Sequence, residues 1–245
     1  MANGFETKNS KAKQFLRKLW KWGKRIFIWI FIIQLFYIIL LKWVNPPITI
    51  TQLISWVSGH GLKRDYVGRK FISPQARLAV IASEDQLYPD HNGFDWKSIR
   101  KAMAYNKKKP GRIRGGSTIS QQVAKNVFLW QGRSWIRKGL ETYFTFMIEL
   151  IWGKKRILEV YLNVIEMGEG IFGIEAASQA YFNKPAKNLS KQEAAMIAAC
   201  LPNPKRYKVK PASSWLVRRA ASIQRQMDNL HTDLEIIRVT GISPP

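Results

Sequence analysis

Proton transfer needs a carboxylate at the mouth of a cleft, and the segment IASEDQLYPDHNGFD offers two adjacent ones, Glu84 and Asp85. An apolar run with helical spacing delivers them just before a turn containing Pro89, and a helix end facing a cleft is a common place for a general acid or base. Two surface acids beside a helix end would fit the same residues. A second cluster is Arg114-Gly115-Gly116-Ser117-Thr118-Ile119-Ser120-Gln121-Gln122. Its glycines permit close backbone approach, and the free amides of a helix start bind anions; taken alone, simple capping is the more ordinary account. Beyond it stand Lys125, Asn126 and Arg133, then Arg137, Lys138 and Glu141, a dense supply of phosphate-binding cations beside another carboxylate.

The elements that must hold these groups are helical. Apolar periodicity predicts helices over 75–88, 96–107, 118–130, 135–163 with a break near Gly153, 172–182, 191–200 and 213–230, with no convincing set of alternating strands and no internal repeat. Asp95, Ser134 and the Ser190/Glu193 capping-box pattern mark starts, while Gly153, Pro202 and Pro204 mark stops. The run NKKKPGRIR at 106–114 reads as a loop or a mobile segment. The stretch LETYFTFMIELIW at 140–152 is apolar nearly all round yet carries Glu141 and Glu149. Such a helix lies in a core or against lipid, and two carboxylates there need partners or a task.

Composition narrows the partners. A net charge of +24, from 40 basic against 16 acidic residues in 245, predicts attraction to a polyanion. The single cysteine, Cys200, excludes an intramolecular disulfide and a multi-thiolate zinc site, and reads as a small buried apolar residue. His60, His91 and His231 lack metal-motif spacing. Residues 26–44, IFIWIFIIQLFYIILLKWV, would span roughly 28 Å as a helix at about 1.5 Å per residue, enough for a hydrocarbon core of about 30 Å. Eight basic residues against Glu6 precede it, which predicts a cytoplasmic amino terminus and an exported remainder. A cleavable signal peptide would have a shorter apolar core and a small-residue cleavage site, whereas Lys42-Trp43-Val44-Asn45-Pro46-Pro47 follows here. Export turns the expected anion from nucleic acid to lipid phosphate or pyrophosphate.

Five segments then carry a family resemblance: EDQLYPDHNGFD at 84–95, GGSTISQQVAKN at 115–126, RKGLE at 137–141, KKRILEVYLNVIEMGEGIFGIEAA at 154–177 and LSKQEAAMIAACLPNP at 189–204. The chain resembles the monofunctional biosynthetic peptidoglycan transglycosylases, whose domain also forms the glycosyltransferase half of bifunctional penicillin-binding proteins. Tyr88 stands where that family usually has phenylalanine, and Ser120 where threonine is common. No SxxK transpeptidase module follows, so the resemblance implies a polymerase without transpeptidase activity.

The resemblance implies a mainly α, lysozyme-like glycosyltransferase domain with a small membrane-proximal lobe around 106–114, preceded by one transmembrane helix. The expected organisation is a basic cytoplasmic tail (1–25), the transmembrane helix (26–44), a stem (45–72), the glycosyltransferase domain (73–230) and a tail (231–245). The implied reaction polymerises lipid II with inversion and release of undecaprenyl pyrophosphate, on the outer face of the bacterial cytoplasmic (inner) membrane. By the same resemblance Glu84 is the base with Asp85 supporting it, and Glu141 is a second essential carboxylate. Lys125 and Arg133 hold pyrophosphate, and Ser117, Gln121 and Gln122 line the cleft. The partners implied are lipid II, the growing lipid-linked strand, membrane lipids and other cell-wall synthesis proteins, with no nucleic acid. Some family members are stimulated by divalent cations such as magnesium or manganese, yet no metal-ligand cluster stands in the sequence and no cofactor is required by it.

Structural roles compete for several residues: a buttress for Asp85, turn caps for His91 and Asp95, a helix pairing of Arg137 and Lys138 with Glu141, architecture for Glu159 and Asn163, and a tight turn for Gly168 and Gly170. Two other functions also compete. A lysozyme-like lytic enzyme would use carboxylates on a helical fold but needs no pyrophosphate cradle, so Lys125 and Arg133 argue against it. A non-catalytic scaffold binding anionic lipid leaves the five motifs unexplained.

Overall fold

The computed structural model describes residues 3–109, 115–132 and 134–244, with side chains from residue 13 onward. The chain divides into two compact units, Met1–Val44 and Asn45–Pro245.

The first unit is one helix, α1 (Asn3–Leu40). From Asn3 the expected basic tail is therefore helical and continuous with the apolar run, because no proline interrupts it and Gly4 and Gly23 are only mild breakers. Its stretch Lys13–Leu40 is the one helix among the described residues long and apolar enough to cross a membrane. Phe27, Trp29, Ile33 and Phe36 all stand mostly exposed along it. Bonds from Lys42 N to Ile39 O and Trp43 N to Leu40 O tighten its end, and the Lys42 ammonium lies 5.5 Å from the Trp43 ring centre.

The second unit carries, in chain order, α2 (Ile50–Val57), β1 (Lys63–Arg64), α3 (Pro74–Glu84), α4 (Trp96–Lys108), α5 (Ile119–Phe128), α6 (Trp135–Ile151), α7 (Lys154–Val164), β2 (Glu166–Gly168), β3 (Ile171–Phe172), α8 (Ile174–Phe182), α9 (Lys191–Cys200), α10 (Ser214–Leu230) and α11 (Leu234–Thr240). It is mainly helical. Helices α3, α9 and α10 pack on one another, as do α5, α6 and α7. Ala194, Ala195, Ala198 and Ala199 of α9 are buried, and such small side chains let helix backbones approach closely. Cys200 is fully buried there, and burial pushes its thiol up to about 12.

Several elements differ from the periodicity, each for a local reason. The helix starting after Ser73 stops at Glu84, where Asp85 leaves helical geometry as its cap. The long helix breaks at Gly153, as its pattern predicted, and α4 runs on to Lys108, shortening the expected loop; residues 110–114 lie outside the described ones. The small sheet, in order β1-β3-β2, went unpredicted because strands of two or three residues show no alternation. Gly170 at its turn has φ +68, and a Cβ there would sit 2.1 Å from His60 O, so this glycine serves a tight approach. The tail folds as α11, whose Val239 carbonyl accepts from Arg69 Nη2 at 2.7 Å, a cation placed where a helix end is negative.

The segment 45–72 carries α2, whose faces are inverted. Gln52 and Ser55 are buried, while Ile50, Leu53, Ile54, Trp56 and Val57 are exposed. The polar pair has tasks inside: Gln52 completes a capping box with Thr49 and bonds Tyr66, and Ser55 donates to Gly61 O at 2.9 Å. Helix α6 is partly inverted, with Arg137, Glu141 and Thr145 buried alongside Ile148 while Trp135, Ile136, Phe146 and Leu150 are exposed.

Candidate active site

Helix α3 is buried on nearly every face from Ala76 to Ala82, which fixes its axis and so the place where it ends. Glu84, its last residue, is half-buried, whereas Asp85 is buried. Asp85 faces inward: Oδ1 lies 3.0 Å from His91 Nε2, and Oδ2 accepts from the Ile119 backbone N–H at 2.9 Å. A carboxylate on the first turn of α5 gains from the positive helix end. Asp95 caps α4 through Ser98 N at 2.8 Å. The expected buttress and cap roles of Asp85 and Asp95 both have contacts here, while His91 pairs with Asp85.

The start of α5 is locked from two sides. Thr118 forms a reciprocal capping box with Gln121, and its hydroxyl donates to Gly93 O at 2.7 Å. Gly93 has φ +87, and a Cβ there would meet Thr145 Cγ2 at 2.7 Å, so chain and side chain meet only because the residue is glycine. Below this turn, Glu149 accepts from Ser120 Oγ and, at 2.7 Å, from Lys154 Nζ. That ammonium lies 4.6 Å from the Tyr88 ring centre, and Tyr88 donates to Lys154 O at 2.8 Å. The carboxylate that looked costly inside an apolar helix is thereby satisfied.

Both oxygens of Glu84 have neighbours. Gln122 Nε2 donates to Oε2 at 3.0 Å, and Tyr161 OH donates in turn to Gln122 Oε1 at 3.2 Å. Ser83 Oγ stands 3.2 Å from Oε1 and accepts from Arg219 Nη2 at 3.4 Å. Tyr161 is fully buried; burial first, then the charges of Glu84 and Asp85, raises its phenol well above the ordinary tyrosine value. Asn126 Oδ1 accepts from Gln131 Nε2 at 3.2 Å and lies 3.4 Å from the Thr51 hydroxyl, tying α5 to α2.

One turn past Gln122 on α5 is Lys125, half-buried. Burial lowers its ammonium from the ordinary lysine value; Glu141 opposes the shift, and Arg137 and Lys138 add to it. Glu141 is only 3% exposed. Its Oε2 accepts from Arg137 Nη1 at 2.7 Å and its Oε1 from Lys138 Nζ, the helix pairing weighed as its structural role. Ser117 is exposed just before α5, Gln121 is buried in the cap, and Arg133 lies outside the described residues.

Thus Gln121, Gln122 and Lys125 lie on α5, Glu141 on α6, which packs against it, and Glu84 and Asp85 at the end of α3, bonded to α5 through Gln122 and Ile119. The sequence did not single out Ser83, Tyr161 or Arg219. Tyr161 reads as a core aromatic, and its partner Gln122 is 39 positions away, so no local pattern marks the pair. Asn163 bonds both the N–H and the carbonyl of Val67, at 2.9 and 3.0 Å, and Glu159 pairs with Arg156 at 2.9 Å, which is architecture in both cases. Among the described residues no group of three or more His, Cys, Asp or Glu side chains is placed to hold a metal ion. Among the described residues the one acid beside Glu84, Asp85, is already committed to His91 and the Ile119 N–H, which does not fit a ligand set for a resident cation.

A half-exposed carboxylate at the end of α3, a half-buried lysine on α5 and a buried, ion-paired carboxylate on α6 together suit transfer of a sugar from a phosphate. Comparison with known proteins agrees. The transglycosylase family model matches residues 51–228, and the chain belongs to that family. It is 50% identical over 226 residues to a biosynthetic peptidoglycan transglycosylase of Yersinia pseudotuberculosis serotype O:3 (strain YPIII), covering 89% of this chain and 94% of that one. A protein of the same description from Yersinia pestis (strain Pestoides F) is 50% identical over 220 residues, covering 87% and 91%.

Proposed function

We propose that this transglycosylase polymerises lipid II into glycan strands. The acceptor's sugar 4-hydroxyl oxygen bonds to the anomeric carbon of the lipid-linked chain as that carbon's bond to pyrophosphate breaks. The hydroxyl proton passes to Glu84, undecaprenyl pyrophosphate departs, and the configuration inverts from α to β.

The observation that carries this reading is the contrast between two carboxylates. Glu84 is half-exposed and held by neutral donors from Gln122 and Ser83, so it can approach a substrate and accept a proton. Glu141 is buried with one cation on each oxygen, an arrangement that leaves neither oxygen free for substrate and orders charge instead. In this reading Glu141 keeps the cationic face in place, while Lys125 and Arg133 meet the developing pyrophosphate charge. Ser117 borders the entrance, Gln121 shapes it through the cap, and Asp85 fixes the turn that carries Glu84. Cations of this kind have no task in cutting finished glycan, and the similar Yersinia proteins are described as biosynthetic.

The same proposal places the chain in the bacterial cytoplasmic membrane. The apolar length of α1 supports a single span, and its basic flank supports a cytoplasmic amino terminus. The inverted faces of α2 and α6 favour lipid contact by the second unit, where a substrate with a long lipid tail resides. The test is incubation of the detergent-solubilised full chain with labelled lipid II, with products separated before and after a muramidase. Polymer that the muramidase digests is the expected result. Fragments released from preformed glycan, with no polymer, would reverse the assignment to a lytic enzyme.

A further inference from the structure

The Gln122 side chain ends in two groups of nearly equal size and opposite polarity, and only one of them can face an ionised carboxylate. Glu84 accepts and does not donate when charged, so a base ready to take a proton needs the amide NH2 toward it. Turned over, the amide would put Oε1 against Oε2 at the same 3.0 Å spacing, two acceptors with no proton between them. The contact with Glu84 cannot alone keep the amide in place through a reaction in which that carboxylate changes charge. A second contact must name the other end.

Tyr161 makes that contact. Its OH lies 3.2 Å from Gln122 Oε1, and the ring is fully buried on α7, so the hydroxyl cannot swing away to water. Burial first, then the two nearby carboxylates, raises the phenol well above its ordinary value, so it is a donor at neutral pH. A second bond, from Asn126 Nδ2 to Gln122 O at 2.8 Å, steadies the α5 backbone beneath the amide.

We infer that Tyr161 is a positioning residue for the base: its hydroxyl fixes the orientation of the Gln122 amide, which in turn aims Glu84 Oε2. This inference rests on Glu84 being the base. Tyr161 touches no reacting atom, and Gln122 acts through Glu84 and not as a contact to the sugar.

The test compares Tyr161→Phe, Gln122→Ala, the double variant and Glu84→Gln, each as full-length protein with labelled lipid II, with kcat, KM and the unfolding midpoint measured separately. Phenylalanine keeps the ring and removes one hydrogen bond, so Tyr161→Phe should lower kcat about three- to tenfold. KM should stay within about twofold of wild type, since a phenol that acts through Gln122 makes no binding contact of its own. In the Gln122→Ala background the same change should cost nothing further, because the amide it orients is gone. Wild-type kcat in Tyr161→Phe, or an equal loss in both backgrounds, would overturn the inference and leave Tyr161 a core residue. If Tyr161→Phe does not fold, Gln122→Glu gives an independent reading: it sets an acceptor against Glu84 at constant size, and unchanged kcat there would equally overturn it. Glu84→Gln separates the two claims. Polymerisation by that variant removes the base reading itself, whereas an inactive Glu84→Gln beside a fully active Tyr161→Phe removes only the relay.

Discussion

The backbone N–H of Ile119 donates to Asp85 Oδ2 at 2.9 Å, so the acid next to Glu84 closes the first turn of a helix 34 positions away. The end of α3 and the start of α5 are held as one piece by that bond. Asp85→Ala should therefore lower stability by about 1–3 kcal/mol, the cost of leaving a buried donor unmet. Asp85→Asn, which keeps an acceptor oxygen, should lose less. Denaturant titration of the two variants checks this, and a wild-type midpoint for Asp85→Ala would show that the bond contributes nothing.

Glu84→Gln should fold normally and polymerise at least about a hundredfold more slowly, since an amide of the same size takes no proton. Its Oε1 and Nε2 can still meet Ser83 and Gln122 in part, so the loss should appear in kcat more than in the unfolding midpoint. Initial rates at saturating lipid II give the comparison.

Lys125 should impose an alkaline limit on activity. Its ammonium is charged below its pKa and neutral above it, and burial lowers that pKa, so the charge is lost at a lower pH than for an ordinary lysine. Arginine stays charged well past that point. Lys125→Arg should retain part of the activity and carry the alkaline limb of kcat/KM to higher pH, while Lys125→Ala should be weak throughout. Rate profiles for the three proteins decide the matter; an unmoved limb in the arginine variant would assign the alkaline loss to another group.

Asn163→Ala should act on stability and spare chemistry. It removes both hydrogen bonds to the Val67 backbone, so a loss of about 1–3 kcal/mol is expected. Activity per folded molecule should stay near wild type. A variant with the wild-type midpoint but a reduced rate would instead bring Asn163 into the site.

Four of the helices, two of them carrying site residues, were legible because their starts are written locally. Asp95, Thr118, Ser134 and Ser190 each accept from the backbone three residues on. The partners of Glu84 were only half legible. Gln122 stood out inside a hydroxyl-rich helix start, but as a cleft residue, and its bond to Glu84 spans 38 positions. Tyr161 and Arg219 carry no local mark at all, since their polar ends find Gln122 and Ser83 only after distant helices pack. The sheet was missed for the opposite reason: β1 joins β3 across more than a hundred residues with two residue pairs, too few to leave a period.

The inverted helices bear on how the protein behaves at the bench. Trp56 and Val57 of α2, with Trp135, Ile136 and Leu150 of α6, face outward within the unit that begins at Asn45. Trimming α1 would therefore remove only part of the water-averse surface. A shortened chain should still self-associate in plain buffer and become monodisperse when a mild amphiphile covers those two helices, so the choice of solubilising agent governs any assay of the isolated second unit.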